Sequence, residues 1–189
     1  MDLRHFVTAV LLAAASGAAT AQTYEPYEGQ PGKDVVWVPT TVALVERMLD
    51  LAAVTPKDYV IDLGSGDGRM VIAAAKRGAR ALGVEYEPDM VALARKSAAQ
   101  AGVADKATFV EGDMFEADIS AATVLALFLL PDNLQKLKPK FERMKPGTRI
   151  VVNAFPIDGW TAKETGTAEG DCGSWCTAYL YIVGETAAK

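Results

Sequence analysis

Five short apolar runs, at 59–63, 81–84, 107–110, 123–129 and 149–153, alternate along this chain with stretches of helical character at 70–77, 88–101 and 132–144. Strands that alternate with helices form parallel sheets covered on both faces, so an α/β fold is predicted. A further helix precedes the first strand: Val42, Val45, Met48, Leu49 and Ala52 recur at helical spacing, with Thr40 or Thr41 available as N-cap and Pro56 past the end. The β-rich run 177–183 has no helix before it and is expected as an antiparallel strand at the C-terminal sheet edge. No internal repeat is visible.

The chain has 189 residues, half of them apolar, with 16 Gly and 2 Cys, which fits one globular domain and excludes collagen-like, disulfide-dense and charge-rich disordered classes. Lys and Arg total 19 against 24 Asp and Glu, a net charge of −5. That balance argues against nucleic-acid binding through a general positive field and favours basic partners. Residues 1–21 carry Arg4 and His5, then an apolar run from Phe6 to Ala15, then small residues ending Ala19-Thr20-Ala21. This is the layout of a secretory signal peptide cleaved after Ala21; the alternative is a retained N-terminal anchor, although the run is short of the roughly 20 residues a spanning helix needs. Gly, Pro, Tyr and Glu without period make 22–34 an extended leader, with the ordered domain expected over 35–189. The expected location is periplasmic or secreted, with the cytoplasm as alternative and no membrane anchor once the leader is cleaved.

His5 is the only histidine, so an exported, processed chain would contain none. Ser-His-Asp and Cys-His nucleophile systems and His-ligated metal sites are then excluded, and no metal site is expected. Cys172 and Cys176, in DCGSWC, are too few for a Cys-only zinc site. In an oxidising compartment they are expected to bridge and close a small loop; the alternative is a pair of free thiols.

The chemistry gathers at strand ends. After the first strand comes Asp62-Leu63-Gly64-Ser65-Gly66-Asp67-Gly68, a glycine turn leading into a helix. In an open parallel sheet the ligand crevice lies at the carboxyl ends of the strands, and glycines let the backbone approach a ligand closely. Glu85 ends the second strand, where a carboxylate can accept from both ribose hydroxyls of a nucleoside, and Asp113 follows the third, where it can accept from an adenine amine. Each acid alone could be a solvated loop residue; together they outline one nucleoside pocket. The dinucleotide fingerprint fails, because Arg69 stands in the third glycine slot, and no Gly-Lys-Ser/Thr follows the turn. A pyrophosphate would also meet the charges of Asp62 and Asp67. S-adenosylmethionine suits these acids better, since its sulfonium and α-ammonium are cationic.

These motifs resemble those of class I, seven-stranded S-adenosylmethionine-dependent methyltransferases, which implies a Rossmann-like, doubly wound, mostly parallel seven-stranded sheet with an antiparallel C-terminal edge strand. Val38-Pro39-Thr40, DLGSGDGR at 62–69, Gly83-Val84-Glu85, MKPGTR at 144–149 and Asp158-Gly159-Trp160 are similar to a narrower group, the archaeal and mitochondrial protein-lysine methyltransferases. The resemblance implies methyl transfer from S-adenosyl-L-methionine to lysine ε-amines of a protein substrate; the acidic charge already argues against a nucleic-acid partner. The resemblance also implies that Gly64, Gly66 and Asp67 lie along the methionine end, that Glu85 meets the ribose, and that Asp113 and Met114 meet the adenine, with Asp62, Ser65 and Tyr86 also among the cofactor-binding residues. Val38, Pro39 and Thr40 would fold over the cofactor near the transferred methyl. Trp37 stands where relatives often have Tyr, and a secretory-like leader is a second departure.

A sulfonium methyl is already activated, so transfer needs chiefly alignment and a neutral amine. The expected acceptor end is an apolar wall of Phe128, Leu129, Leu130 and Pro131, with Trp37 or Phe155 facing the amine, Asn153 holding it, and Thr40 beside the methyl. For each aromatic, core packing is the alternative. No Asn/Asp-Pro-Pro-aromatic tetrad follows the fourth strand, which disfavours base methylation. Methylation of a small molecule, and a secreted non-catalytic binding domain retaining the fold, are the alternative functions.

Overall fold

A computed structural model of the chain describes residues 24–169, 172–173 and 175–185. The signal peptide expected at 1–21 lies outside the described residues. Eleven elements follow in order: α1 (Val42–Leu51), β1 (Tyr59–Leu63), α2 (Arg69–Lys76), β2 (Arg80–Glu85), α3 (Pro88–Gln100), β3 (Ala107–Glu111), β4 (Val124–Leu127), α4 (Pro131–Phe141), β5 (Arg149–Asn153), β6 (Glu164–Thr167) and β7 (Thr177–Ile182). They form one seven-stranded sheet, ordered β3-β2-β1-β4-β5-β7-β6. The first five strands pair in parallel and β7 pairs antiparallel with both β5 and β6. Chain order reverses between β1 and β4, the switch point at which the carboxyl ends of an open sheet leave a crevice.

The apolar strands hide a period of two. Val60, Val124, Ala126, Val151 and Leu180 face α1, α2 and α3 in one core, while Ile61, Leu63, Leu125, Leu127, Ile150 and Val152 face Leu134, Leu137 and Phe141 of α4 in the other. Both faces are covered, which is why these runs read as continuously hydrophobic. Thr41 caps α1, its hydroxyl accepting from the Leu44 amide at 3.4 Å. Among the described residues no helix is long and apolar enough to cross a membrane.

Three local outcomes differ from expectation. The antiparallel strand β7 lies one place inside the margin, because β6 pairs outside it as the outermost strand. The Glu-Thr-Gly-Thr sequence of β6 has only Gly166 buried and no apolar alternation to reveal it. The apolar run after Thr123 leaves the sheet at Leu127, and residues 128–130 continue as extended chain until Pro131 opens α4. Finally, the leader is folded: the Trp37 amide donates to the Gln30 carbonyl at 2.9 Å, the Gly29 amide to the Trp37 carbonyl at 2.8 Å, and Pro31 bridges Val36.

Candidate active site

The crevice forms from the backbone outward. At the end of β1 the amides of Gly64 and Ser65 both donate to the Val84 carbonyl of β2, at 2.8 and 3.1 Å, which turns the chain sharply off the sheet. Gly66 and Gly68 then adopt φ of +52° and +83°, a region that disfavours side chains. A Cβ on Gly66 would stand 2.6 Å from the Trp37 indole nitrogen, and one on Gly68 2.7 Å from the Phe109 ring. The turn is thus clamped between the leader above and the sheet below. Gly68 N-caps α2, whose first residue, Arg69, reaches back over the turn. Its Nε and Nη2 donate to the Asp67 carboxylate at 3.0 and 2.6 Å, and its Nη1 donates to the Thr40 carbonyl at 2.8 Å.

The resulting cavity, of about 260 Å³, is walled by residues 30–40 at the junction of leader and domain, the glycine turn, the ends of β2 and β3, residues 128–130, Phe155 and Trp175. Of the residues singled out in the sequence, Val38, Pro39, Thr40, Asp62, Gly64, Ser65, Gly66, Asp67, Glu85, Tyr86, Asp113, Met114 and Phe128 all line it. Pro131 and Asn153 are not on its wall. Pro131 is the first residue of α4, where its fixed φ starts the helix, and the preceding Leu130 takes the wall position instead. Asn153 is buried behind Thr40, its Nδ2 3.5 Å from the Thr40 hydroxyl, and its Oδ1 makes no hydrogen bond.

Asp62 dominates the electrostatics of the floor. It is buried, and burial, reinforced by Glu85 and Asp67 nearby, pushes its carboxyl up to about 8. Glu85 is held in place by the chain: its Oε2 accepts from the Gly66 amide at 2.8 Å and its Oε1 from the Glu87 amide at 3.0 Å. Asp113 accepts from the Phe115 amide at 2.8 Å and from Lys33 Nζ at 2.5 Å. The Lys33 hydrogen bond, with that amide, holds the Asp113 carboxyl below its ordinary range, and the same bond raises Lys33. Lys33 also sits 4.9 Å from the Tyr86 ring centroid. Nothing in the sequence paired Lys33 with an acid 80 positions later. Trp175 is another wall residue that sequence reasoning missed; its one signal was a tryptophan between two cysteines four apart, and Cys172 and Cys176 are disulfide-bonded.

The floor fits S-adenosylmethionine by its own chemistry. A buried carboxyl among like charges gains a partner when an ammonium arrives, and the Ser65 hydroxyl is buried without a hydrogen bond, so the floor holds both an acid and a polar group for a cationic ligand to meet. Among the described residues both cations on the wall, Lys33 and Arg69, are already paired with carboxylates, so neither is free to meet a pyrophosphate.

Comparisons with known proteins agree. The family model described as the ANTKMT methyltransferase domain matches residues 62–164. A protein-lysine N-methyltransferase of Saccharolobus islandicus is 45% identical over 154 residues, covering 80% of this chain and 95% of that protein. The adenine nucleotide translocase lysine N-methyltransferase of Mus musculus is 36% identical over 128 residues, 67% of this chain, and the match spans 56% of its length. Among solved structures, one described as an RNA methyltransferase from Salinibacter ruber in complex with S-adenosyl-L-homocysteine is 49% identical, with a TM-score of 0.72, covering 77% of this chain and 94% of that one. On glycine turn, strand-end acids and these matches, the chain belongs to the ANTKMT methyltransferase domain family and is a class I S-adenosylmethionine-dependent methyltransferase of the lysine methyltransferase group.

Proposed function

We propose that the enzyme methylates lysine ε-amines of proteins. One observation carries the choice of acceptor: among the described residues the crevice wall offers no unpaired cation, since Lys33 is bonded to Asp113 and Arg69 to Asp67, while the end beyond the glycine turn is aromatic. A polyanionic acceptor needs basic side chains for its phosphates, whereas a lysine side chain needs an apolar slot. The net charge of −5 supports attraction of lysine-rich proteins, as do the names of two relatives.

When bound, S-adenosylmethionine supplies a methyl on a sulfonium that an amine lone pair displaces in line. In this reading Asp62 takes the α-ammonium and ionises as it does so, with Gly64, Ser65, Gly66 and Asp67 along the same end. Glu85 keeps lone pairs free for ribose hydroxyls beside its two amide bonds, and Asp113, Met114 and Tyr86 flank the adenine. Val38 and Pro39 roof the cofactor beside Trp37. Thr40 touches the acceptor amine and Asn153 steadies Thr40 from behind, in place of the direct contact expected from sequence. Phe128, Leu129 and Leu130 exclude water, which favours loss of the ammonium proton before transfer.

A second reading, RNA methylation, is favoured by the 49% identity to the Salinibacter ruber structure so described. The two are separated by incubating the enzyme and methyl-tritiated cofactor with a lysine-rich protein, total RNA and a metabolite extract in parallel. Label recovered in methyllysine is the expected result. Label in nucleosides would establish the second reading, and label only in the metabolite fraction would overturn both.

We also propose export, with cleavage after Ala21 and residence in the periplasm or outside the cell. The signal-like segment and the Cys172–Cys176 disulfide support it, because disulfides persist in oxidising compartments. N-terminal sequencing of exported protein should begin at Gln22; intact Met1 confined to the cytosol would contradict it.

A further inference from the structure

Phe128 follows β4, Phe155 follows β5 and Trp175 precedes β7, so three strands adjacent in the sheet deliver three aromatic rings to one end of the crevice. Trp175 lies 5.4 Å from Phe155, edge to face at 69°, and 6.1 Å from Phe128, tilted at 56°. In an edge-to-face pair one ring keeps a face open for another partner. The cluster sits on the far side of the glycine turn from Asp113, which follows β3 at the other margin of the sheet. Leu129, next to Phe128, stands 3.6 Å from where a Cβ on Gly64 would be, so the rings adjoin the methionine end.

What holds Trp175 there is covalent. Its side of the β6–β7 connection is tied by the Cys172–Cys176 disulfide and by its own amide, which donates to the Cys172 carbonyl at 2.8 Å. The Ala168 amide donates to the Cys176 carbonyl at 3.0 Å, anchoring the closed loop to the hairpin. Trp175 is 41% exposed as a residue, so burial alone does not fix it, and Cys176 is partly exposed to solvent reductants. Opening this loop returns conformational freedom to the very residue that completes the wall.

We propose that the Cys172–Cys176 disulfide holds Trp175 as the third wall, with Phe128 and Phe155, of a slot for an alkylammonium side chain, so that acceptor affinity depends on the oxidation state of the cysteine pair. This rests on the lysine reading above. A dithiol reductant opens the bond by attack of its thiolate on one Sγ; two electrons and two protons pass to the cysteines, leaving two thiols, and the reductant becomes its own disulfide. In the reducing cytosol the slot would lack its third wall, and in an oxidising compartment it would be complete.

The test uses the full chain, a lysine-rich protein as acceptor, and the variants Trp175→Ala, Trp175→Phe and Cys172→Ser/Cys176→Ser. Trp175→Ala should raise the acceptor KM about tenfold, the scale of a lost cation–π contact, while the cofactor Kd from calorimetry stays within about twofold. Trp175→Phe should recover most of the loss. Dithiothreitol, or the double serine variant, should raise the wild-type KM similarly and do nothing further to Trp175→Ala. A wild-type KM in Trp175→Ala, or an equal rise on reduction in its absence, would overturn the proposal. Failure of the lysine reading shows separately, as no methyllysine from the oxidised wild type. The slot is then judged by the indole N–H resonance of Trp175, identified by its absence in Trp175→Phe. Tetramethylammonium should shift it in oxidised and not in reduced protein, and a signal unmoved in both forms overturns the slot whatever the acceptor is.

Discussion

Asp62 concentrates the chemistry of the crevice in one carboxyl. Burial first, then Glu85 and Asp67, raises it to about 8, so at neutral pH the folded chain holds it protonated while the unfolded chain ionises it near 3.8. Between those values the folded state binds more protons, and stability from this group is complete below pH 3.8 and drains away as pH rises through 8. Asp62→Asn removes that dependence: in thermal melts the wild type should lose ground to the variant steadily from pH 5 to pH 8.5, and parallel curves would contradict the account. Gly66 makes a second residue-scale case. An added Cβ meets the Trp37 indole at 2.6 Å, on backbone at φ +52°. Gly66→Ala should therefore weaken cofactor binding by about tenfold or more in calorimetry, since either the roof or the turn must move. The acids and glycines of this site were legible because each needs a particular residue type at a strand end. Lys33 and Trp175 were not, because their partners converge from distant positions and leave no local pattern.

At the scale of elements, the amino end of the sheet is locked by one network. Asp58, buried before β1, accepts from the Thr55 amide and hydroxyl at 2.8 and 2.9 Å and from the Thr123 hydroxyl at 2.8 Å, and it pairs with Arg149 of β5. Arg149 also donates to the Ala52 and Ala53 carbonyls after α1, at 2.7 and 3.1 Å. Burial raises the Asp58 carboxyl, but these hydrogen bonds and the guanidinium outweigh it and leave the group below its ordinary value. Its stabilisation is therefore present at neutral pH and lost as pH falls through the acid range. Arg149→Ala strands a buried carboxylate and should cost about 3 kcal/mol in urea denaturation, with cofactor affinity of the folded fraction unchanged. Loss of cofactor binding in step with stability would show that the two ends of the sheet are coupled. The parallel strands were legible as apolar runs because both faces are buried; β6 was hidden because an outer strand of Glu and Thr carries no such mark. The leader misled in the opposite direction, its glycines and prolines making a folded turn over the crevice where composition suggests extended chain.

Across the whole molecule, charge and covalent structure point the same way. An acidic chain with its crevice cations already paired suits a cationic cofactor on the floor and, on the lysine reading proposed above, a basic side chain at the mouth. Salt should therefore weaken binding of a lysine-rich acceptor, read as a rise in KM between low and physiological ionic strength, while a neutral lysine-analogue amine responds little. The measurement that bears most directly on the central claim is calorimetric titration with S-adenosylhomocysteine at pH 7, in buffers of different ionisation heat. The buried Asp62 should give up its proton as it meets the ligand's ammonium, releasing about one proton per molecule bound, and Asp62→Asn should abolish that release and weaken binding. Tight binding without proton release, left intact in Asp62→Asn, would contradict the account.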